Sequence, residues 1–332
     1  MALAHPQVVR DSAQAYAAYL DQSIGSGRLR SPGQEAAHAL RDSIQNLLQA
    51  PDRPWTANVW FAAAMLARCD ANDRATLVNQ WALGIGNDAA PVIVMGTEHA
   101  YDVDKSPAGL ALESCASVLL WLADGGPELA RWIAQDDTWV KGTGGRAYHR
   151  HPSDHYRVAS GQTWSTVARV LGVPLEELGE LSYQVERSAH PARAASRGAP
   201  PTRERLAFLV GLLRTFRTSA RVLILHGKTH TASNDWAACN RSLTMTFLDQ
   251  AVLSAPETLP IGMASIRRWT NGDRTVFHTW ALNRGALARS GAPDAYEDQL
   301  AKLVASALQP QKATTLEGHT PKPAGADHCL DA

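Results

Sequence analysis

The stretch Arg221-Val-Leu-Ile-Leu-His226-Gly227 decides the fold. It is short, apolar, rich in branched side chains and closed by glycine, which is the profile of a strand buried on both faces of a parallel sheet. Pro91-Val-Ile-Val-Met-Gly96 repeats that profile, and Leu181–Glu186 and Arg274–Trp280 are weaker β-prone runs. Helical periodicity fills the intervals at Leu110–Ala123, Gln162–Leu171, Arg203–Arg217 and Asp235–Leu253, with a last helix at Ala292–Leu308. Strands alternating with helices predict a three-layer α/β/α fold around a short, mostly parallel four-stranded sheet. Ahead of it, Ala13–Leu20, Ala36–Leu48, Trp55–Leu66 and Leu77–Leu83 read as helices. The expected organisation is a helical region over residues 1–88 packed on the core, an α/β/α domain over 89–308, and a disordered tail over 309–332.

Composition narrows the function classes. The 332 residues carry 32 basic and 32 acidic side chains, so bulk basicity gives no case for nucleic-acid binding, although a local basic surface would. No apolar run has the roughly 18 residues of a membrane span, and the start, MALAHPQVVRDS, has no signal-peptide pattern. The cytoplasm and a monomer are the expectations. Cys69, Cys115, Cys239 and Cys329 are scattered and form no CxxC pair, which disfavours a zinc ribbon, an iron–sulfur site or a disulfide framework.

In an open parallel sheet, ligands bind beyond the carboxyl ends of the strands. The four predicted exits are Gly96-Thr-Glu98-His99-Ala-Tyr101-Asp102-Val-Asp104, then Glu186-Arg187, then His226-Gly227-Lys228-Thr-His230, then Trp280-Ala-Leu-Asn283-Arg284. They collect carboxylates, imidazoles and an aromatic side chain, which a sheet built for stability alone does not need. The bland alternative for the first exit is a polar loop with an Asp helix cap. Lys141–Gly161 is an insertion whose Lys141, Arg146, Arg150 and Arg157 oppose Asp154 alone, a local charge of +3. It reads either as a solvated surface loop or as an arm contacting phosphates. Arg187, Arg193, Arg197, Arg203 and Arg205 form a second basic stretch, read in part as capping or solvating the helix near Arg203. The scattered tryptophans read as core.

The turn Gly96-Thr-Glu98-His-Ala-Tyr101 after a buried strand resembles the first motif of the uracil-DNA glycosylase superfamily, G-Q-D-P-Y-H in its best-known branch. The resemblance spans roughly residues 90–308. It implies that Glu98 stands at the acid handling the attacking water, with Tyr101 one place beyond the tyrosine that shapes the base pocket. A Thr163-Trp164 pair opens a helix as in the family, and Glu186 is the nearest match to the asparagine that reads the base. The strand ending His226-Gly227 is similar to the family's strand ending Trp-Gly. Asn283-Arg-Gly-Ala-Leu-Ala288 falls at its His-Pro-Ser-Pro-Leu-Ser loop, with Asn283 in place of the terminal catalytic histidine.

The implied activity is hydrolysis of the N-glycosidic bond of a flipped-out base in DNA, needing no cofactor and no metal. Such cleavage builds positive charge on the sugar and negative charge on the base. Carboxylates near the sugar stabilise the cation and orient water, and a hydrogen-bonding or cationic group meets the base. Glu98, Asp102, Asp104 and Asn283 are the catalytic candidates. Tyr101, Glu186, His226 and Arg284 are the base-binding candidates, and Lys141, Arg146, Arg150, Arg157 and Lys228 the phosphate-binding ones. Glu186 only accepts hydrogen bonds when ionised, which suits an exocyclic amino group and points to a modified cytosine, as in viral DNA, and so to a defence role. The alternatives are uracil-type repair and a non-catalytic nucleic-acid or nucleotide-binding module on the same fold. A metal-dependent hydrolase using His226 and His230 ranks third. An extended four-residue step spans about 13 Å, too far for one ion unless Gly227 turns the chain.

Overall fold

The computed structural model describes residues 6–49, 56–98, 162–174, 177–190, 199–230 and 233–309. Its elements in chain order are α1 (Pro6–Gly25), α2 (Ser31–Gln49), α3 (Thr56–Arg68), α4 (Ala71–Thr76), β1 (Ile85–Gly86), β2 (Val92–Glu98), α5 (Gln162–Leu171), α6 (Leu178–Leu181) and β3 (Ser182–Ser188). They continue with α7 (Arg203–Phe216), β4 (Val222–His226), α8 (Asn234–Leu248), β5 (Glu257–Ile261), β6 (Ala264–Asn271), β7 (Arg274–Thr279), α9 (Arg284–Ala288) and α10 (Pro293–Leu308). The four strands expected from sequence are β2, β3, β4 and β7. They lie side by side as β3-β2-β4-β7, every neighbouring pair parallel.

The expected four-stranded sheet is corrected to a mixed sheet of seven, in the order β1-β3-β2-β4-β7-β6-β5, of which β1 has only two residues. The added strands pair antiparallel. The hairpins β5–β6 and β6–β7 are closed by two-residue loops, Gly262-Met263 and Gly272-Asp273. Gly262 and Gly272 have φ of 60° and 58°, the left-handed conformation that the first position of a type II′ turn requires. Pro260 sits in β5, the edge strand, where a missing N–H does no harm. Two helices are also corrected. Residues 77–83 hold turns rather than a helix, because their backbone bonds to side chains from elsewhere. α8 stops at Leu248, where Asp249 takes a left-handed C-cap at φ 57°.

Alternation along the strands sorts the core into two layers. Val92, Val94, Val222, Ile224 and Phe277 face α5 and α10 through Val167, Tyr296, Leu300 and Val304. Ile93, Met95, Tyr183, Leu223, Leu225 and Val276 face α7 and α8 through Leu209, Leu213, Leu243 and Phe247. The described residues thus form an α/β/α arrangement. A separate apolar cluster joins α1, α2 and α3, with Tyr16, Leu20, Leu40, Ile44 and Leu66 fully buried. No described helix is long and apolar enough to cross a membrane.

The 77–84 segment joins the helices to the sheet. Tyr16 and Tyr19 donate to the carbonyls of Leu77 and Thr76 at 2.6 and 2.8 Å, and the Gly84 N–H donates to the Tyr183 hydroxyl at 2.7 Å. Arg205, only 1% exposed, donates to the carbonyls of Gln80, Ala82 and Glu186 at 3.1, 2.6 and 2.6 Å. A basic stretch read as solvated therefore contains a core cation. Arg205→Met strands three buried carbonyls and should lower the unfolding free energy by about 3 kcal/mol. Arg30→Met, at the surface ion pair with Asp70, should leave the unfolding midpoint near wild type. Urea unfolding of both variants checks the contrast.

Candidate functional site

The strand order contains a reversal. From β2 the chain passes to β3 on one side, then returns through α7 to β4 on the other. In doubly wound sheets this switch point, between the first and third strands, opens a crevice beyond the carboxyl ends. Here it lies between Gly96-Thr97-Glu98 and His226-Gly227-Lys228. Gly227, at φ 67°, turns the chain away, and Lys228 continues left-handed at φ 54°. A non-glycine residue in that region is uncommon and strained by on the order of 1 kcal/mol. A Cβ on Gly227 would also lie 2.6 Å from the Thr97 hydroxyl.

One buried cation ties the exits together. Arg187 is 0% exposed. Its Nε donates to the Gly96 carbonyl at 2.7 Å, and one terminal nitrogen donates to the His226 carbonyl at 2.6 Å and to the Gly227 carbonyl. The other terminal nitrogen donates to the Asn240 side-chain oxygen on α8. The guanidinium stacks 5.0 Å from the Trp236 ring centre, and the Asn240 amide donates to the Lys228 carbonyl at 3.0 Å. Arg187 thus spans β2, β3, β4 and α8, and its assignment to a solvated basic stretch is corrected.

On the α5/α10 face of the same exits stand a carboxylate and an imidazole. Glu186 is in register with Gly96, and its carboxyl group occupies the space a Gly96 Cβ would fill. His226 flanks Gly96 on the other side, since Met95 pairs with Leu225. His226 is 8% exposed, and its Nδ1 is buried with no hydrogen-bond partner. Burial, aided by Arg187, pulls its pKa down to about 3. It is therefore a neutral ring at pH 7, able to donate or accept but not to supply the positive charge considered for it.

The α7/α8 face carries two more imidazoles. His278 contacts the Thr244 hydroxyl at 2.8 Å and the Trp269 ring at 4.4 Å between centres. Burial, Arg187, His230 and Arg267 push its pKa down to about 3. His230 is lowered to about 4 by burial and Arg267, against a hydrogen bond to the His278 backbone that raises it. The turn at Gly227 thus carries His230 toward β7. Among the described residues no group of three or more His, Cys, Asp or Glu is placed to hold a metal. Cys69 and Cys239 are buried free thiols.

Of the sequence candidates, Glu186, His226, Lys228 and Asn283 lie at the described exits. Glu98 ends β2 opposite Ser188, and Arg284 opens α9. Asn283 is the N-cap of α9, and its side-chain oxygen accepts from the Ala286 N–H at 2.8 Å. Tyr101, Asp102, Asp104, Lys141, Arg146, Arg150 and Arg157 lie outside the described residues, as do the helix expected at Leu110–Ala123 and the tail beyond residue 309. Sequence reading missed the roles of Arg187 and Asn240, because nothing local distinguishes a buried arginine from its surface neighbours. No protein-family model matches this chain, and no curated protein matches it.

The three rings make the fold acid-sensitive. Their folded pKa values lie below the ordinary 6.5, so below pH 6.5 the unfolded chain binds protons that the folded chain refuses. Their contribution is complete above about pH 6.5 and is lost as pH falls toward 4. The loss approaches about 1.4 kcal/mol per pH unit for each of the deeply buried rings His226 and His278, and is smaller for His230, which solvent screens. Urea midpoints at pH 7, 6 and 5 should fall in that order, and His278→Gln should flatten the slope.

Proposed function

We propose that the protein is a DNA glycosylase that hydrolyses the N-glycosidic bond of a flipped-out, modified cytosine. The observation that carries this reading is the Glu186 carboxylate lying over Gly96 at the switch point, with the buried and unpartnered Nδ1 of His226 on the strand that flanks Gly96 from the other side. Enzymes that act on a base take it out of the stack and read its Watson–Crick edge in a pocket. Glu186 and His226 stand on strands either side of β2, roughly 10 Å apart at the backbone, with no side chain on Gly96 between them. An ionised carboxylate accepts from the exocyclic amine of cytosine, and a neutral imidazole can donate to the adjacent ring nitrogen. Uracil offers a carbonyl where cytosine has the amine, and a carboxylate repels it.

In this reading Glu98 orients the attacking water, with Asp102 or Asp104 as its alternates, and Tyr101 walls the base. The carboxylates offset the charge that develops on the sugar. Lys228 and the basic segment with Lys141, Arg146, Arg150 and Arg157 meet backbone phosphates. Excision of ordinary cytosine would damage the host genome, so the modification is part of the proposal, and viral DNA is its source.

Asn283 supports a second reading, a non-catalytic nucleic-acid-binding module. Its side-chain oxygen is committed to capping α9, where the glycosylases that the chain resembles carry a catalytic histidine. Duplexes containing uracil, plain cytosine, hydroxymethylcytosine or glucosylated cytosine separate the readings, with abasic sites cleaved after incubation. Abasic sites in modified-cytosine DNA alone are the expected result. Cutting of the uracil duplex alone restores simple repair, and binding without abasic sites in any duplex favours the module. Glu98→Gln should slow release by at least about a hundredfold with DNA binding kept.

Gly96→Ala gives a separate check on the base edge. Its methyl group displaces only the flexible end of Glu186, so the unfolding midpoint should stay near wild type while binding of the modified base is lost. Unchanged binding by Gly96→Ala removes Glu186 from base recognition.

A further inference from the structure

On the α7/α8 face of the sheet, Arg267 and His230 are not used by the reading above. Arg267 lies on β6 directly across from His278 on β7, so their side chains share a face. Trp269, two residues further along β6, fixes that face by packing on the His278 ring. Arg267 is half-buried and makes no hydrogen bond or ion pair with any described residue. Its strand neighbour Arg268, pointing the other way, is paired with Glu257.

His230 hydrogen-bonds the His278 backbone, and its Nε2 is buried without a partner. The nitrogen engaged with that carbonyl is therefore Nδ1, which donates, and Nε2 of the neutral ring carries a bare lone pair. Among the described residues, the charged and titratable groups acting on His230 and His278 are Arg187 on β3, Arg267 on β6 and the two rings themselves, with no carboxylate among them. Lys228 is two residues away on the same turn. A partly desolvated guanidinium without an acceptor among the described residues faces the same β7 residue as a buried ring nitrogen without a partner, and the pair becomes a set of anion donors once that ring takes up a proton.

We infer that Arg267 and His230 bind a phosphate oxyanion, which, on the glycosylase reading, is a backbone phosphate of the strand whose base enters the switch-point crevice. Arg267 supplies fixed N–H donors. A phosphodiester has no proton to give to a neutral Nε2, so the ring must itself take up a proton to donate. One proton is then bound with each phosphate. Backbone contact at this position would also couple the grip on the strand to pH.

The test titrates the full chain with inorganic phosphate and, separately, with a short single-stranded oligodeoxynucleotide, between pH 7.5 and 5.5. Imidazole NMR signals report binding, and circular dichroism confirms the fold at each pH. Saturable binding of both is expected; with the oligodeoxynucleotide, whose phosphodiesters carry no proton, His230 becomes protonated on binding and affinity rises toward about tenfold per pH unit of acidification, while dihydrogen phosphate brings its own proton to the ring. Arg267→Gln should lower affinity about tenfold at every pH. His230→Gln keeps a donor and should bind with the pH dependence lost. The absence of a saturable response, or an oligonucleotide affinity that ignores pH in wild type, overturns the site. Phosphate binding with proton uptake that the oligonucleotide does not compete for leaves the oxyanion site standing and overturns its assignment to a nucleic-acid strand. A bound oligonucleotide without abasic-site formation on any duplex supports this site while removing the glycosylase chemistry.

Discussion

The Arg187 guanidinium is the constraint on which the carboxyl end of the sheet depends. A cation taken fully out of water is costly unless its donors are satisfied. Here three main-chain carbonyls and the Asn240 oxygen surround it, and Trp236 covers one ring face. Those carbonyls belong to Gly96, His226 and Gly227, the residues at which β2 and β4 end. Satisfying the charge therefore fixes the carboxyl ends of β2 and β4 relative to each other at the switch point. The left-handed backbone at Gly227 and Lys228 is held by the same network, since Asn240 bonds both Arg187 and the Lys228 carbonyl.

The buried cation also sets the protonation of its neighbours. His226 and His278 lie on opposite faces of the sheet, and both are depressed by Arg187 as well as by burial. Burial first, and the nearby positive centre second, keep both imidazoles neutral through the physiological range. The crevice face then combines a carboxylate with an uncharged ring, a set suited to matching a donor–acceptor edge. The opposite face combines the Arg267 guanidinium, unpaired among the described residues, with two more neutral rings, His230 and His278. One arginine thus acts on imidazoles of both faces through its charge.

The described helices and the four parallel strands follow closely from local pattern. Val92–Met95 and Val222–Leu225 are buried on both faces because helices cover both sides, which is why they read as unbroken apolar runs. The hairpin strands were harder to see. β5 is mostly exposed and contains a proline, and β6 carries two adjacent arginines, so neither has the apolar continuity of the centre. Asn271-Gly272 was the signal that could have located them, since glycine at a two-residue loop marks a hairpin. The 77–83 segment has helical periodicity, yet its carbonyls are drawn off by Tyr16, Arg205 and Ser12, the last bonding Trp81 at 2.5 Å. Tertiary partners there outweigh a local preference of a few tenths of a kcal/mol per residue.

By itself the sequence determined which segments are strands of the parallel centre and which polar residues follow them, because both properties are local. Periodicity and strand-end chemistry need no knowledge of what lies across the sheet. The tertiary structure alone decided the strand order, and with it that Gly96 lies between Glu186 and His226. It also decided that two arginines of a basic stretch are core residues while Arg267, buried less deeply, finds no partner among the described residues. Burial of a charge depends on where its donors find acceptors. For Arg187 those acceptors come from residues 39 to 91 positions away in the chain, a distance over which sequence pattern carries no information about contact.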